Sequence, residues 1–504
     1  MTTTLHQAGY GPQHYQLSAR DKTGQLLGKS TLQLAVLGLA VAIGVLSATI
    51  RGPLIVGLPV AALLALVGVA PWKHQRPLVE QLGALAEYAL TPKVWSAQLD
   101  LLGSQGTKAP LPPPMAGLVL HQMRDAKGRE VCLIEDTKVG HLSVAVRVAG
   151  RRFALASPDE QDAMLAGWAD ALTPFGRRGG PVVALAWTSW ASPTRIEAHR
   201  AWLAEVADPS APSEARVSYD EVLAATGAHA SAHDVVVTLS VDVDRASRRP
   251  GQRHGPRNAT ERRSVAAATL LRELALFSGR LAGAGLDAGA PLSGAELARV
   301  LRERLDPSCV GRLDVRGRSL GDVAGLVAPA NAGPLHCEQR RTAWRTDGTW
   351  HRALVVSEWP RTPVGADWMG SFLLDVDCVR LTTVVFEPLD PVASTRQVEF
   401  QMANHEGDLS HRDEKRRVVT GQVRRRGQNI ARREEQLLDG HIEFRYLGLV
   451  VVSAPDHEAL DRATEAVTEA GARCRMELRP VDGQHAAAVV AALPLGRTPS
   501  RATA

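Results

Sequence analysis

Residues 381–396 read LTTVVFEPLDPVASTR, and roughly two hundred residues earlier residues 182–195 read VVALAWTSWASPTR. Each opens as a β-branched and aromatic run, the composition of a strand. Each then leads into a helical region, through Pro193-Thr194-Arg195 in the first case and through Pro391–Arg396 in the second. The order around them also recurs. A further strand follows, Val235–Val243 (VVVTLSVDV) and Ile442–Ser453 (IEFRYLGLVVVS), and after each comes a helix, about Ser264–Ala284 and Glu458–Ala470. Cys474–Leu478 reads as a short closing strand. Two β-α-β-type halves in series are the plain reading. Strands alternating with helices give an α+β fold with mixed α/β sheets rather than an all-β barrel.

Working outward, Val131–Ile134 and Leu142–Val148 read as strands. Ser157-Pro158-Asp159-Glu160 opens a helix that runs to about Phe175, with Ser as N-cap, Pro at the first position and acids in the first turn. Arg177-Arg178-Gly179-Gly180 ends it. Ser293 opens a bridging helix, Ala295–Leu305, between the halves. Gly103–Pro114 (GSQGTKAPLPPP) reads as a linker after a mostly helical stalk.

Two apolar runs, Leu32–Ile50 and Leu54–Ala70, flank Arg51-Gly52-Pro53. A helix needs about 20 residues to cross a hydrocarbon core of about 30 Å. The pair therefore reads as a two-helix transmembrane hairpin spanning residues 32–72. Arg20, Lys22 and Lys29 precede it and Lys73 and Arg76 follow it, with Arg51 alone at the tip. By the positive-inside rule both termini are expected in the cytoplasm, on a two-pass cell-membrane protein. The expected organisation is a tail (1–31), the hairpin (32–72), stalk and linker (73–115), a first half (116–290), a bridge (291–340), a second half (341–496) and a closing tail (497–504).

The chain has 504 residues and a formal charge of +5, with hydrophobic residues at 45%. Near-balanced charge with ordinary hydrophobicity argues against a largely disordered chain. Five widely spaced cysteines exclude a disulfide framework and a close-spaced zinc cluster. Gly24–Ser30 is one residue short of a phosphate-cradling Walker loop and follows no strand. Gly283-Ala284-Gly285 follows a helix, so it reads as a helix C-terminus with left-handed glycines and not as a dinucleotide loop. His405-Glu406 lacks a second histidine four residues on, where Leu409 stands, and His457-Glu458 fails in the same way. His336, Cys337 and His351 could meet in space without any spacing that demands it. Trp187, Trp190 and Trp202 mark a core or a partner groove. No catalytic residue, cofactor or metal is expected.

The basic charge is concentrated. Residues 412–435 hold nine Lys or Arg against four acids, and residues 245–263 hold seven Arg against Glu261. Such clusters attract phosphate backbones, anionic lipid or acidic protein surfaces. The candidate contact residues are Arg248, Arg249, Arg253 and Arg257 in a Gly- and Pro-containing loop, with Arg416, Arg417, Arg424, Arg425 and Arg426 in a solvated helical region. Few aromatics interleave with them, which weakens a single-strand nucleic-acid platform.

Trp350–Pro360 (WHRALVVSEWP), Gly365–Leu374 (GADWMGSFLL), Leu381–Arg396, Glu434–Pro455 and the closing Leu493-Pro494-Leu495-Gly496 follow one another in an order that resembles the non-ATPase N-terminal region of the CagE/TrbE-like conjugation ATPases. The chain stops within ten residues of Leu493-Pro494, so the resemblance implies no motor and no ATP hydrolysis here. With the hairpin, it resembles the integral membrane proteins of actinobacterial conjugative elements. The implied role is a non-catalytic structural subunit of a type IV secretion-like machine. It would dock a separate ATPase and other membrane subunits and work as an oligomer. An EccE-like type VII secretion component and a membrane-anchored nucleic-acid-binding protein are the alternatives.

Overall fold

The computed structural model describes residues 31–49, 54–69, 86, 88–97, 111–150, 152–193, 196–208, 210, 212–227, 231–248, 258–310, 313, 329, 332–415 and 418–498. Thirteen strands form one sheet in which every pairing is antiparallel. In chain order they are β1 (Val94–Ser96), β2 (Leu118–Arg124), β3 (Glu130–Asp136), β4 (His141–Gly150), β5 (Val182–Pro193), β6 (Ser231–Asp242), β7 (Leu286–Pro291), β8 (His336–Gln339), β9 (Trp344–Thr346), β10 (Thr349–Glu358), β11 (Val379–Pro388), β12 (Phe444–Ala454) and β13 (Glu477–Pro480). The order across the sheet is β1-β8-β9-β10-β12-β11-β5-β6-β4-β3-β2, with β13 on β10 and β7 on β4.

The helices are α1 (Thr31–Thr49), α2 (Leu54–Val69), α3 (Pro158–Leu172), α4 (Ile196–Val206), α5 (Ser213–Gly227), α6 (Val243–Ser247), α7 (Ala259–Leu281), α8 (Gly294–Leu305), α9 (Gly370–Leu374), α10 (Pro391–Glu414), α11 (Gly421–Leu438), α12 (His457–Arg473) and α13 (His485–Ala492). Their starts follow local chemistry. Ser157 and Ser293 each close a capping box with the glutamate three residues on, Glu160 and Glu296. Asn258 and Asp456 cap α7 and α12 through side-chain oxygens.

Strand alternation sorts the core into two layers. Cys132, Ile134, Trp190, Val236, Leu381 and Val451 share one cluster with α8 and α13. The alternate residues of the first half, such as Val131, Val144 and Leu239, pack with α3 and α7. Those of the second half, such as Leu354, Val450 and Val452, pack with α9 and α12. One face is thus common to both halves, and the other is divided between them.

The element order repeats about the β5–β11 junction. β4, β5, β6, α7, β7 and α8 correspond to β10, β11, β12, α12, β13 and α13. The centre is the pair Thr188 and Thr383, which face each other in the register. Thr188 also pairs with Val236, as Thr383 pairs with Leu449. Four residues on, Ser240 pairs with Ser143 and Ser453 with His351. The connections are not β-α-β crossovers: β5 runs into β6, and β11 into β12, as adjacent antiparallel strands. Each pair is a hairpin whose tip holds a helical insertion, α4–α5 or α10–α11.

The expected transmembrane hairpin is corrected. Among the described residues no helix is long and apolar enough to cross a membrane. Over the described residues α1 has 19 and α2 has 16, which at about 1.5 Å per residue gives roughly 28 and 24 Å, short of a core of about 30 Å. They form a packed apolar pair, and the two-pass placement with both termini cytoplasmic falls with the hairpin. Arg51-Gly52-Pro53, the flanking cations, the Gly24–Ser30 segment and residues 103–110 of the linker lie outside the described residues.

Candidate functional site

The common face holds a row of buried hydroxyls with the His351 imidazole among them. Ser143 and Ser240 are 2.8 Å apart, and at the equivalent place in the second half His351 Nδ1 lies 2.8 Å from Ser453 Oγ. His351 Nε2 faces the Leu305 carbonyl at 3.0 Å and Thr346 Oγ1 at 2.7 Å. Burial lowers the imidazole pKa to about 4, against the Leu305 carbonyl and Asp306, which pull it up. A serine beside a histidine has the outline of a nucleophile and its base. Here both are buried, and both ring nitrogens face polar atoms of the protein. The row therefore acts as an internal seam.

Helix ends from each half cross to the other. α8 follows the first half, and its last residue, Leu305, meets His351 of the second. Gly496 follows α13 of the second half, at φ +68°, and lies against Ser143 and Ser240 of the first. Arg497 then holds Asp136 by two bonds of 2.8 and 3.0 Å and also donates to the carbonyls of Pro114 and Ala116. This is a bidentate, charge-assisted clamp on a buried carboxylate.

A second buried group sits on the same face. Arg304 donates to Asp234, which also accepts from Arg147. Burial lowers the Arg304 pKa to about 10, opposed first by Asp234. Arg380 is buried too and donates to the carbonyls of Leu373, Val376 and Cys378. None of these was singled out from the sequence. Strand alternation would have put Asp234 with Val236 on the common face, but an arginine used to tie backbone carbonyls leaves no pattern in the chain.

Of the four candidate arginines among the described residues, three are on a helical insertion. Arg424 and Arg425 are exposed on α11, and Arg426 is half-buried with its Nε enclosed. Arg433 is paired with Glu443, and Arg412 with Asp408. Arg248 is exposed just after α6. Arg249, Arg253, Arg257, Arg416 and Arg417 lie outside the described residues. The two predicted clusters stand on different elements, so the structure does not bring Arg248 onto the helix that carries Arg424–Arg426. Beside α6 is a cleft of about 250 Å³ lined in part by Glu135, Thr137, Asp242, Asp244, Arg262 and Arg263. Its charges are largely spent on one another: Arg263 meets Glu135 at 3.0 Å and Arg262 meets Asp244 at 3.1 Å.

Trp190 is buried in the common core and Trp187 packs against the first-half core, while the Trp202 side chain lies outside the described residues. His336 bonds Ser96, and Cys337 is a buried thiol pushed up to about 12 by desolvation and then by Asp347. Among the described residues no group of three or more His, Cys, Asp or Glu is placed to hold a metal ion. No family model matches the chain, and no curated protein matches it.

Proposed function

We propose that this chain is a non-catalytic docking subunit of a conjugative, type IV secretion-like transfer machine, and that a separate polypeptide supplies the ATPase motor. The observation that carries the reading is the pair of helical arms, α4–α5 and α10–α11. They are inserted at the tips of the two central hairpins and turn charged and apolar side chains outward. Exposed Val206, Val217 and Val222 on one arm, with Phe400, Val418 and Leu438 on or beside the helices of the other, are the kind of surface a partner covers. The phrases that resemble the conjugation ATPases fall on β10, α9, β11 with α10, and α11 with β12. The polar interior supports the same reading, because its histidine, serines and arginines are engaged in holding helices to the sheet.

The test is capture, by the immobilised full chain, of a conjugation-type ATPase from the same genome. Retention through washing supports the role, and passage of a folded ATPase without retention ends it. Exposure of Arg424 and Arg425 favours a second reading, strand capture. That reading requires DNA affinity that falls steeply with salt and weakens alike for all sequences when Arg424, Arg425 and Arg426 become alanine.

A further inference from the structure

The two arms occupy one duplicated position and carry opposite charge. Residues 196–227 hold six Asp or Glu against two Arg, while residues 391–438 hold ten Lys or Arg against seven Asp or Glu. Some of this charge is neutralised within each arm, as in Arg200 with Asp220 and Arg412 with Asp408. Glu205, Glu214 and Glu221 are exposed on α4 and α5, and Arg424 and Arg425 are exposed on α11. Among the described residues none of the ion pairs uses these five side chains.

Position prevents the arms from satisfying each other. β5 and β11 are antiparallel neighbours, and each arm begins where its strand ends. The arms therefore leave opposite ends of the sheet. Each carries exposed apolar side chains beside its charges, Val217 and Val222 on one and Phe400 on the other. Charge complementarity and apolar contact are thus both available, but only between molecules.

We infer that the occupant of the basic arm is a second copy of this chain: the acidic α4–α5 arm of one molecule docks on the basic α10–α11 arm of the next. The contact is head-to-tail, since the two surfaces differ. A docked pair keeps one arm of each sign unfilled, so assembly continues until it closes as a ring or extends as a file. Opposite charges steer the encounter and set its polarity, and the exposed valines and phenylalanine are what the contact buries. The inference rests on reading the arms as contact surfaces and does not depend on any motor.

The experiment is sedimentation velocity of the nuclease-treated full chain over a range of concentration and ionic strength. Self-association that weakens as salt rises is expected, because screening shortens the reach of exposed charges to about 8 Å near physiological salt. Arg424→Glu with Arg425→Glu should weaken it roughly tenfold or more, and Glu214→Lys with Glu221→Lys should do the same. All four changes in one chain should restore it, and so should mixing the two charge-reversed proteins, since each then offers the sign the other lacks. Circular dichroism checks that every variant is folded. A wild-type chain that stays monomeric at low salt would overturn the inference. Association unchanged by either reversal, not rescued by the combination, or seen only with added nucleic acid would do so too. A chain that self-associates but captures no ATPase sinks the transfer-machine reading alone, and a monomer that captures the ATPase sinks this one alone.

Discussion

Thr188 and Thr383 face each other across the β5–β11 junction with their hydroxyl oxygens 3.3 Å apart and fully enclosed. They are equivalent residues of the two halves, and they mark the local two-fold axis of the sheet. Thr383 also donates to the Ala492 carbonyl at 2.7 Å, which ties the end of α13 to the centre. Thr383→Val removes that donor and leaves a buried carbonyl short of a partner. A loss of about 1–2 kcal/mol in urea unfolding is expected. Thr188→Val breaks no bond to α13 and should cost less.

Gly496 is the tightest backbone approach on the common face. A Cβ there would overlap Ser143 Oγ and lie 2.7 Å from Ser240 Oγ, and φ is +68°. Gly496→Ala should therefore destabilise by about 2 kcal/mol or more, combining backbone strain with overlap. Gly440 offers the contrast: its φ is +84° but nothing lies within 4 Å of the added methyl. Gly440→Ala should cost only the left-handed penalty of about 1 kcal/mol. Thermal unfolding of the two variants side by side checks the difference.

His351 makes stability depend on pH. Its folded pKa is about 4, lowered by burial, while an unfolded histidine titrates near about 6.5. Above the upper value the ring is neutral in both states and adds no slope. Between the two values the unfolded chain holds the proton and the folded chain does not. Stability must then fall as pH falls, by up to about 3 kcal/mol. His141 and His485 are also lowered, chiefly by burial, and add to the same slope. His351→Gln should flatten the pH profile in this window; an unchanged slope would show that the ring does not titrate as described.

Arg497 and Asp136 should couple strongly. Arg497→Ala leaves a buried carboxylate without its cation, at a cost of about 3–5 kcal/mol. Adding Asp136→Asn removes the stranded charge and should recover part of the loss. A double-mutant cycle reads the coupling directly.

Cys132 and Cys337 are held as thiols, pushed up to about 11 and about 12 mainly by desolvation. Cys378 is raised for the same first reason. Since the thiolate is the reacting form, the native chain should resist Ellman's reagent at mildly alkaline pH, and denaturant should release all five free thiols. Fast labelling of Cys132 in the folded chain would contradict its buried place on β3.

The parts of this fold that could be read from the chain are those set by neighbours in sequence. Ser157 with Glu160, and Ser293 with Glu296, announce helix starts because the cap bonds span three residues. Val182–Trp190 and Val235–Val241 alternate because one face meets α8 and α13 and the other α3 and α7. Gly285 is left-handed at φ +69°, as a helix end requires, while Gly283 is not. What stayed hidden depends on partners far away. Nothing near β5 says that β11, about two hundred residues on, is its neighbour, or that the strands joined through α10 and α11 lie side by side. The two apolar runs read as long enough to span a bilayer because hydropathy alone does not measure a helix, and among the described residues α2 has 16. Of the candidate site, the exposed Arg424 and Arg425 were legible as a charge run; the opposed sign of the other arm was not, because its acids are spread over two short helices.

The clamp at Arg497 reaches back 361 residues to Asp136, onto a strand among the first of the sheet to be made. A ribosome therefore delivers β3 and β4 long before the segment that covers their common face. During that interval Ile134 and Ala145 await α8, and Ser143 and Ser240 remain open until Gly496 arrives. Closure is a late event in the life of the nascent chain, and the first half spends its synthesis with an uncovered flank that invites chaperone attention.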